Sequence, residues 1–295
     1  MNSELRRDLT AEDGPLAGAS ITDISPVGGG CIHQAWKLCL ADGQLLFAKS
    51  GGASALPLFE VEAEALEALH AQADASFLVV PQPIALAALH HGAVLLLPWL
   101  DWGGNDQKAL GRGLALLHQS SMASSPARFG WHRDGFIGAG PQLGGWRDDW
   151  GSAFVELRLR PQLEALDGLQ QDSTDLNPLL LRLAEHLNEH QPHPALVHGD
   201  LWGGNAASLS DGRGSIFDPA SWWADREVDL AMTRLFGGFG EAFRSGYRDV
   251  LPDAPGVESR VEIYNLYHLL NHANLFGGSY LSQCRASLRE LARRF

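Results

Sequence analysis

Lysine is almost missing from this 295-residue chain: Lys37, Lys49 and Lys108 are the whole set, so chemistry that needs an ammonium group has three candidates. Basic residues are scarce as a class. Lys and Arg total 22 against 35 Asp and Glu, a formal net charge of −13, and no broad basic surface is available to a phosphate backbone. Nucleotides need only a few local donors and are not excluded. The three cysteines, Cys31, Cys39 and Cys284, form no CxxC or zinc-type spacing, which rules out a disulfide scaffold and points to a reducing compartment. Long apolar runs are lacking too. The greasiest stretch, Ile84–Leu100, is broken by His90, His91, Gly92 and Pro98, short of the ~20 residues a membrane span needs. Met1–Leu9 is charged and lacks the apolar segment of a secretory signal. These absences predict a soluble cytoplasmic protein with neither a membrane nor a nucleic-acid partner, and a monomer is the expectation for assembly.

What is present divides in two. From about Ile21 to Leu100 short apolar runs alternate with turn signals: Ile21–Val27, Ala35–Leu40, Leu45–Lys49, Ile84–Leu89 and Ala93–Leu97, with Asp42-Gly43 and His90-His91-Gly92 as hairpin turns. One helix, roughly Leu56–Ala71, interrupts them. From Asn105 the pattern turns helical over Asp106–Ser120, Trp150–Leu166, Pro178–His190, Arg226–Phe236, Ser259–Phe276 and Leu281–Arg294. Ser120–Gly145, rich in Ser, Gly and Pro, reads as an extended loop. The expected fold class is α+β with two lobes: a β-rich front lobe over residues 1–100 with one main helix, and a larger, mostly helical lobe over 101–295, joined near Pro98–Gly104.

The most informative stretch is A-L-V-H-G-D-L-W-G-G-N at 195–205, followed by S-I-F-D-P at 215–219. An apolar run ends in His198-Gly199-Asp200, Asn205 comes five residues after the Asp, and a second short run delivers Asp218. This is the order and spacing of a kinase catalytic loop and its metal-binding Asp. Phosphoryl transfer needs one carboxylate to orient and deprotonate the attacking hydroxyl, the role expected of Asp200. It also needs hard oxygen ligands for Mg²⁺, which the Asn205 amide and the Asp218 carboxylate can supply. Asp or Asn alone would be read as a turn cap; the ordered set is what carries the reading.

Such a site also requires a strand lysine and a carboxylate to hold it. Lys49 ends Leu45–Lys49, whereas Lys37 lies mid-strand beside the glycine run and Lys108 near a helix start. Glu62 shares a helix face with Phe59, Leu66 and Leu69, and a carboxylate on an apolar stripe is costly unless paired. Lys49–Glu62 is therefore the expected ion pair; a rim carboxylate with a wet head is the alternative. Gly28-Gly29-Gly30-Cys31-Ile32-His33 joins two strands where a loop over ATP phosphates would sit, with Gly29 and Gly30 allowing close backbone approach. A plain hairpin is the alternative. No Walker A sequence is present.

Taken together, these residues resemble those of the fructosamine kinase (ketosamine-3-kinase) family, within the protein-kinase-like group that includes aminoglycoside and choline phosphotransferases. The shared marks run from G-G-C-I-H at 29–33 through F-A-K at 47–49, F-E-V-E-A at 59–63, F-G-W at 129–131, F-I-G at 136–138 and L-V-H-G-D-L-W-G-G-N at 196–205. They continue with F-D-P-A at 217–220, D-R-E-V-D-L-A-M at 225–232, L-F-G-G-F at 235–239 and L-Y-H-L-L-N-H-A-N-L-F-G-G-S-Y at 266–280. The resemblance implies a bilobal kinase-like fold and ATP- and Mg²⁺-dependent phosphorylation of a small-molecule or protein-linked ketosamine at its 3-hydroxyl. On the matching positions Lys49 would contact the α/β-phosphates, Glu62 would anchor it, Asp200 would be the base, and Asn205 with Asp218 would bind the metal. Adenine would lie against backbone near Pro98–Leu100. The family usually has Glu where Pro98 stands and Asn where Gly135 and Gly144 stand, so nucleotide contacts and substrate preference could differ. An aminoglycoside- or choline-type phosphotransferase, or an ATP-binding pseudokinase scaffold, are the other readings of the same fold.

Smaller signals remain. By resemblance Asp229 braces the catalytic loop, while Arg226 and Glu227 read as a local ion pair. Trp202 could stack on a sugar face or serve core packing. His268 and His272, an i, i+4 pair without a third ligand, read as helix histidines or sugar contacts rather than a metal site; His268 is the tentative substrate contact. His118 reads as a core-edge histidine. Cys31, in the glycine loop, could be an oxidisable thiol or a small buried hydrophobe.

Overall fold

Apolar alternation builds the first sheet. The computed structural model describes residues 2–28, 33–166 and 175–295, so the nucleotide contacts expected of Gly29 and Gly30 and the redox role considered for Cys31 fall outside the described residues. The front of the chain runs α1 (Asn2–Thr10), β1 (Ile21–Val27), β2 (Gln34–Leu40), β3 (Leu45–Gly51), α2 (Leu56–Gln72), β4 (Leu78–Val79), β5 (Ala85–Leu89) and β6 (Gly92–Pro98). Five of these strands form an antiparallel sheet in the order β1-β2-β3-β6-β5. Ala93–Leu97 on β6 are all buried because both faces of the sheet are covered. Leu95 and Leu97 pack with Phe59, Leu66 and Leu69 of α2, and Val94 and Leu96 pack with Leu5 and Leu9 of α1. No element is expected from the sequence at the charged start, and α1 forms there with Leu5 and Leu9, one turn apart, as its inner face.

The rest of the chain runs α3 (Gln107–Ala123), β7 (Phe129–Trp131), β8 (Gly135–Ile137), β9 (Gly140–Gln142), β10 (Gly145–Arg147), α4 (Trp150–Phe154), a π-helical turn (Val155–Leu159) and α5 (Arg160–Ala165). It continues with α6 (Asn177–Glu189), β11 (Ala195–Val197), β12 (Ala206–Ser208), β13 (Gly214–Ile216), β14 (Trp222–Ala224), α7 (Glu227–Leu235), α8 (Glu241–Arg248), α9 (Val257–Phe276) and α10 (Ser279–Arg294). Helices dominate this lobe, and their apolar faces meet around Trp150, Phe154, Trp222, Tyr264 and Tyr267. The stretch expected as a loop over Ser120–Gly145 is different: α3 continues to Ala123, and four three-residue strands follow. Such strands, interrupted by glycines, are too short to show alternation.

Two features position the site. β4 leaves the front lobe to pair in parallel with β13, Leu78 opposite Gly214, so the strand that precedes Asp218 is tied to the segment after α2. α3 and α8 cross so closely that a Cβ on Gly111 would lie 2.0 Å from the Phe243 carbonyl and one on Gly246 would lie 2.1 Å from that of Lys108. Only glycine fits at either contact. Among the described residues no helix is long and apolar enough to cross a membrane.

Candidate active site

Strand parity turns Lys49 away from the α1 side of the sheet. Leu46 and Ala48 face α1, so Lys49 faces α2, where Glu62 stands one turn from Phe59 and Leu66. Its Nζ lies 2.6 Å from Glu62 Oε1 and 2.5 Å from Asp218 Oδ1. The pairing expected from the helix stripe is present, and Asp218 joins it from the other lobe. Lys37, by contrast, sits 4.5 Å over the Trp99 ring.

Asp200, Asn205 and Asp218 converge beside this pair. Asn205, buried, donates its Nδ2 to the Asp200 carbonyl at 2.9 Å and to Asp200 Oδ2 at 3.1 Å. Asp218 has a φ of +57°, a left-handed conformation that Asp tolerates better than most residues. The loops carrying them are laced together. His198 Nε2 donates to the Phe217 carbonyl at 2.9 Å, the Phe217 N–H donates to Asn205 O at 3.0 Å, and the Ala220 N–H donates to His198 O at 2.9 Å. Because a carbonyl can only accept, Nε2 carries the His198 proton, leaving Nδ1 to face the Asp200 N–H at 3.3 Å. Burial pushes this imidazole's pKa down. His198 is thus a neutral link between the two loops, a role the sequence motif alone does not reveal.

The charges here are unbalanced. One ammonium faces Glu62 and Asp218, with Asp200 alongside. Burial, together with the Asp218 charge, lifts Glu62 to about 7 despite Lys49. Burial lifts Asp200 to about 7 as well, against its hydrogen bond from Asn205 and with Asp218 and Asp229 adding to the rise. Burial alone would lower Lys49, but its two carboxylate partners outweigh that and raise it. All three shifts mean the cluster favours more positive charge. With the Asn205 nitrogen committed to Asp200, its Oδ1 and the 44%-exposed Asp218 carboxylate are the hard oxygens that could meet a divalent cation. The residues present therefore fit Mg²⁺.

Asp229, at the start of α7, is fully buried and accepts from the N–H groups of His198 at 2.7 Å and Gly199 at 2.8 Å. It also contacts His118 Nε2 at 3.2 Å, and His118 Nδ1 meets the Tyr247 hydroxyl at 2.8 Å. His118 is therefore a wholly buried bridge from α8 to the catalytic loop, not a core-edge residue. Gly199 completes the turn with a φ of +82° and no room for a Cβ, which would lie 2.1 Å from the Ala220 carbonyl. Burial alone would drive the Asp229 pKa up; hydrogen bonds from His118 and the Gly199 amide outweigh it, and the net is a lowered value. A carboxyl depressed in the folded state contributes stability above its unfolded pKa of about 3.9 and loses it as pH falls through the folded value. Asp229→Asn should therefore be less stable than the parent at pH 7, with the gap narrowing below pH about 4. Denaturant midpoints at both pH values test this, and an unchanged gap would refute it.

Several expectations need correction. Arg226 and Glu227 are not a local pair. Glu227 binds Arg260 through both oxygens, at 2.7 and 2.8 Å, and Arg226 reaches the Tyr247 hydroxyl at 3.2 Å and the Pro252 carbonyl at 2.6 Å. His190, Asp225 and Glu227 place ligand-type atoms within 4.8 Å of one another, but the Arg260 guanidinium already supplies the cation, and Tyr264 donates to Asp225 at 2.7 Å. His268 is wholly enclosed, with burial holding its pKa down to about 3, so it presents no surface to a substrate. One turn on, His272 lies in an aromatic group, 4.6 Å from Phe236 and 5.1 Å from Tyr280 between ring centroids. Trp202 is 38% exposed on a loop whose Gly203 would place a Cβ 3.3 Å from Gly238 Cα, two residues beyond Phe236. The Trp202 ring folds back over Gly204, where a Cβ would come 2.4 Å from Trp202 Cζ2, so Trp202 is a partly exposed surface ring and not core packing.

At the lobe junction Pro98 ends β6 opposite Leu46, and Trp99 donates its N–H to the Leu45 carbonyl at 3.2 Å. Of Pro98 and Leu100, only Leu100 has an N–H to offer a base. Trp102, unflagged in the sequence, is half exposed and stacks on Phe217 at 5.1 Å, next to Asp218.

Comparison with known proteins bears on this geometry. The fructosamine kinase family model matches residues 5–294. A protein of Synechocystis sp. named "Probable ketoamine kinase" is 43% identical over 277 residues, covering 92% of this chain and 91% of that protein. The chloroplastic protein-ribulosamine 3-kinase of Oryza sativa is 36% identical over 279 residues, covering 92% of this chain and 80% of that one. A crystal structure from Haemophilus somnus described as "Putative fructosamine-3-kinase" superposes with a TM-score of 0.83 at 26% identity, over 99% of this chain and 97% of that chain. The shared architecture is the bilobal, protein-kinase-like α+β fold.

Proposed function

This chain belongs to the fructosamine kinase family, and we propose on that premise that it transfers the γ-phosphoryl group of ATP to the 3-hydroxyl of a ketosamine. The observation that carries the reading is the assembled set around Lys49: Glu62 and Asp218 within 2.6 Å of its ammonium, with Asp200 and Asn205 hydrogen-bonded beside them. In this reading Lys49 grips the α/β-phosphates and Glu62 fixes Lys49. Asp200 accepts the proton of the attacking hydroxyl, and Asn205 with Asp218 holds the metal. Mg²⁺, when bound, supplies the charge neutralisation that phosphoryl transfer requires. The Trp202 ring offers a flat surface to the sugar. A base could reach the Leu100 backbone beside the exposed Trp102 ring.

The product's own chemistry supports a role in reversing glycation. A phosphate on C3 stands next to the C2 ketone of the ketosamine. Enolisation toward C1 yields an enaminol whose nitrogen lone pair expels phosphate from C3; water then hydrolyses the iminium and frees the amine. Phosphorylation alone thus commits the adduct to fall apart. The relatives named as ketoamine and ribulosamine kinases favour fructosyl- and ribulosyl-amines as the acceptors to try. With Mg²⁺ present, ATP consumption should be confined to ketosamines when these are assayed beside an aminoglycoside and choline. Turnover of the latter two instead would shift the acceptor class, and ATP binding without turnover of any would favour a scaffold.

A further inference from the structure

Glu62 and Asp218 come from opposite lobes, so both can reach Lys49 only if α2 is held at a set distance from the Asp218 segment. The β8–β9 hairpin touches both. At its open end Gln142 pairs across the strands with Gly135 and is buried, donating Nε2 to the Ala220 carbonyl at 3.1 Å and accepting from the Tyr267 hydroxyl at 2.9 Å. Ala220 lies two residues beyond Asp218 and is itself bonded to His198. The next carbonyl along the hairpin, Leu143 O, accepts from Arg158 Nη1 at 2.8 Å, and that guanidinium lies 3.8 Å over the Trp222 ring. Arg158 stands in the π-helical turn, a distortion that often marks a functional position. The hairpin is therefore tied twice to the segment that follows Asp218.

The partner strand, β8, meets α2. A Cβ on Gly135 would lie 3.0 Å from Val61 Cγ1, so glycine lets the strand press directly on the helix. Just before it, Arg133 stands 3.7 Å from Glu64 and 3.9 Å from Glu60, and His132 stands 3.2 Å from Glu64. These pairs are exposed and contribute little by themselves; the steric contact is the firmer one. Val61 immediately precedes Glu62.

We propose that this hairpin is a strut between the lobes, with Gln142 and Gly135 as positioning residues that set where Glu62 stands relative to Asp218, and so how firmly Lys49 grips the nucleotide. The inference rests on the proposed function only for the assignment of Lys49 to the phosphates. It predicts that Gly135→Val, which drives a β-branched side chain into Val61, weakens the MgATP Kd about tenfold or more and lowers kcat by a similar factor. KM for the acceptor should stay within about threefold, since the hairpin acts through α2. Adding Val61→Ala, which reopens the space, should bring the MgATP Kd back to within about threefold of the parent. Gln142→Leu should show the same weakening without that rescue, because what it loses is the bond from β9 to Ala220, which Val61→Ala does not touch.

Calorimetric titration of the full chain with MgATP reads these shifts whether or not a ketosamine is turned over, so failure of the acceptor assignment remains distinguishable. An unchanged Kd and kcat in Gly135→Val would overturn the strut, as would a loss that Val61→Ala does not relieve. A lower melting temperature with native MgATP affinity in all three variants would reduce the hairpin to packing and overturn it equally.

Discussion

Asp200→Asn is expected to lower kcat by roughly 10²–10⁴, the size of a lost general base, while MgATP affinity stays within a few-fold of the parent. The position of residue 200 is set by its neighbours rather than by its own charge. Its N–H faces His198 Nδ1 at 3.3 Å and its carbonyl accepts from Asn205 Nδ2 at 2.9 Å. An amide of the same shape can turn its oxygen toward Asn205 and leave the loop in place. What it cannot do is accept a proton from the attacking hydroxyl. The proposed cation ligands Asn205 and Asp218 are untouched, so nucleotide binding should survive. The change also removes a charge that burial and the Asp218 and Asp229 carboxylates make costly, so the variant should fold at least as well as the parent. Steady-state turnover together with MgATP titration checks both halves. Near-native kcat would remove Asp200 from the reaction and, with it, the kinase reading of the loop.

The residues that could be found in the sequence are those whose signals are local. The H-G-D spacing, the strand that ends in Lys49 and the stripe that carries Glu62 each lie within one element, and the structure brings them together. Asp218 is legible as a candidate ligand because a short apolar run precedes it. Its contact with Lys49, 169 residues away, follows from lobe closure, which no local pattern encodes. The same holds for Asp229. Its partners lie on two segments far from it in sequence, His118 on α3 and His198-Gly199 on the loop after β11, and the motif around it suggests pairing Arg226 with its neighbour Glu227. Folding instead sends Glu227 to Arg260, where a guanidinium binds both carboxylate oxygens at once and is buried with them. The hairpin between α3 and α4 was hidden for another reason. Its three-residue strands are stabilised by what they touch, α2 on β8 and Ala220 on β9, and not by their own propensity.

Lys49→Met should cost at least about 10² in kcat/KM for ATP, by raising KM and lowering kcat together. An ammonium about 4 Å from an opposite charge contributes ~4 kcal/mol at an effective dielectric of 20, close to 10³-fold if the whole interaction were lost. Water and the metal recover part of that, which is why the expected loss is placed lower. The fold should tolerate the change. Without the ammonium, Glu62 and Asp218 would be two neighbouring carboxylates, and Glu62, already lifted to about 7, relieves the repulsion by keeping a proton. The loss is then one of function, with the melting temperature near that of the parent. Lys49→Arg is the sharper control. It restores the positive charge but replaces a compact donor with a planar fork. The ammonium sits 2.6 Å from Glu62 and 2.5 Å from Asp218, and a guanidinium cannot occupy that gap without displacing α2. If charge alone mattered, Arg would recover most of the activity; if the spacing between the two carboxylates matters, it should recover little. The second outcome is expected, because the hydrogen bonds to both carboxylates converge on one nitrogen atom and leave the phosphates to be reached from that same point.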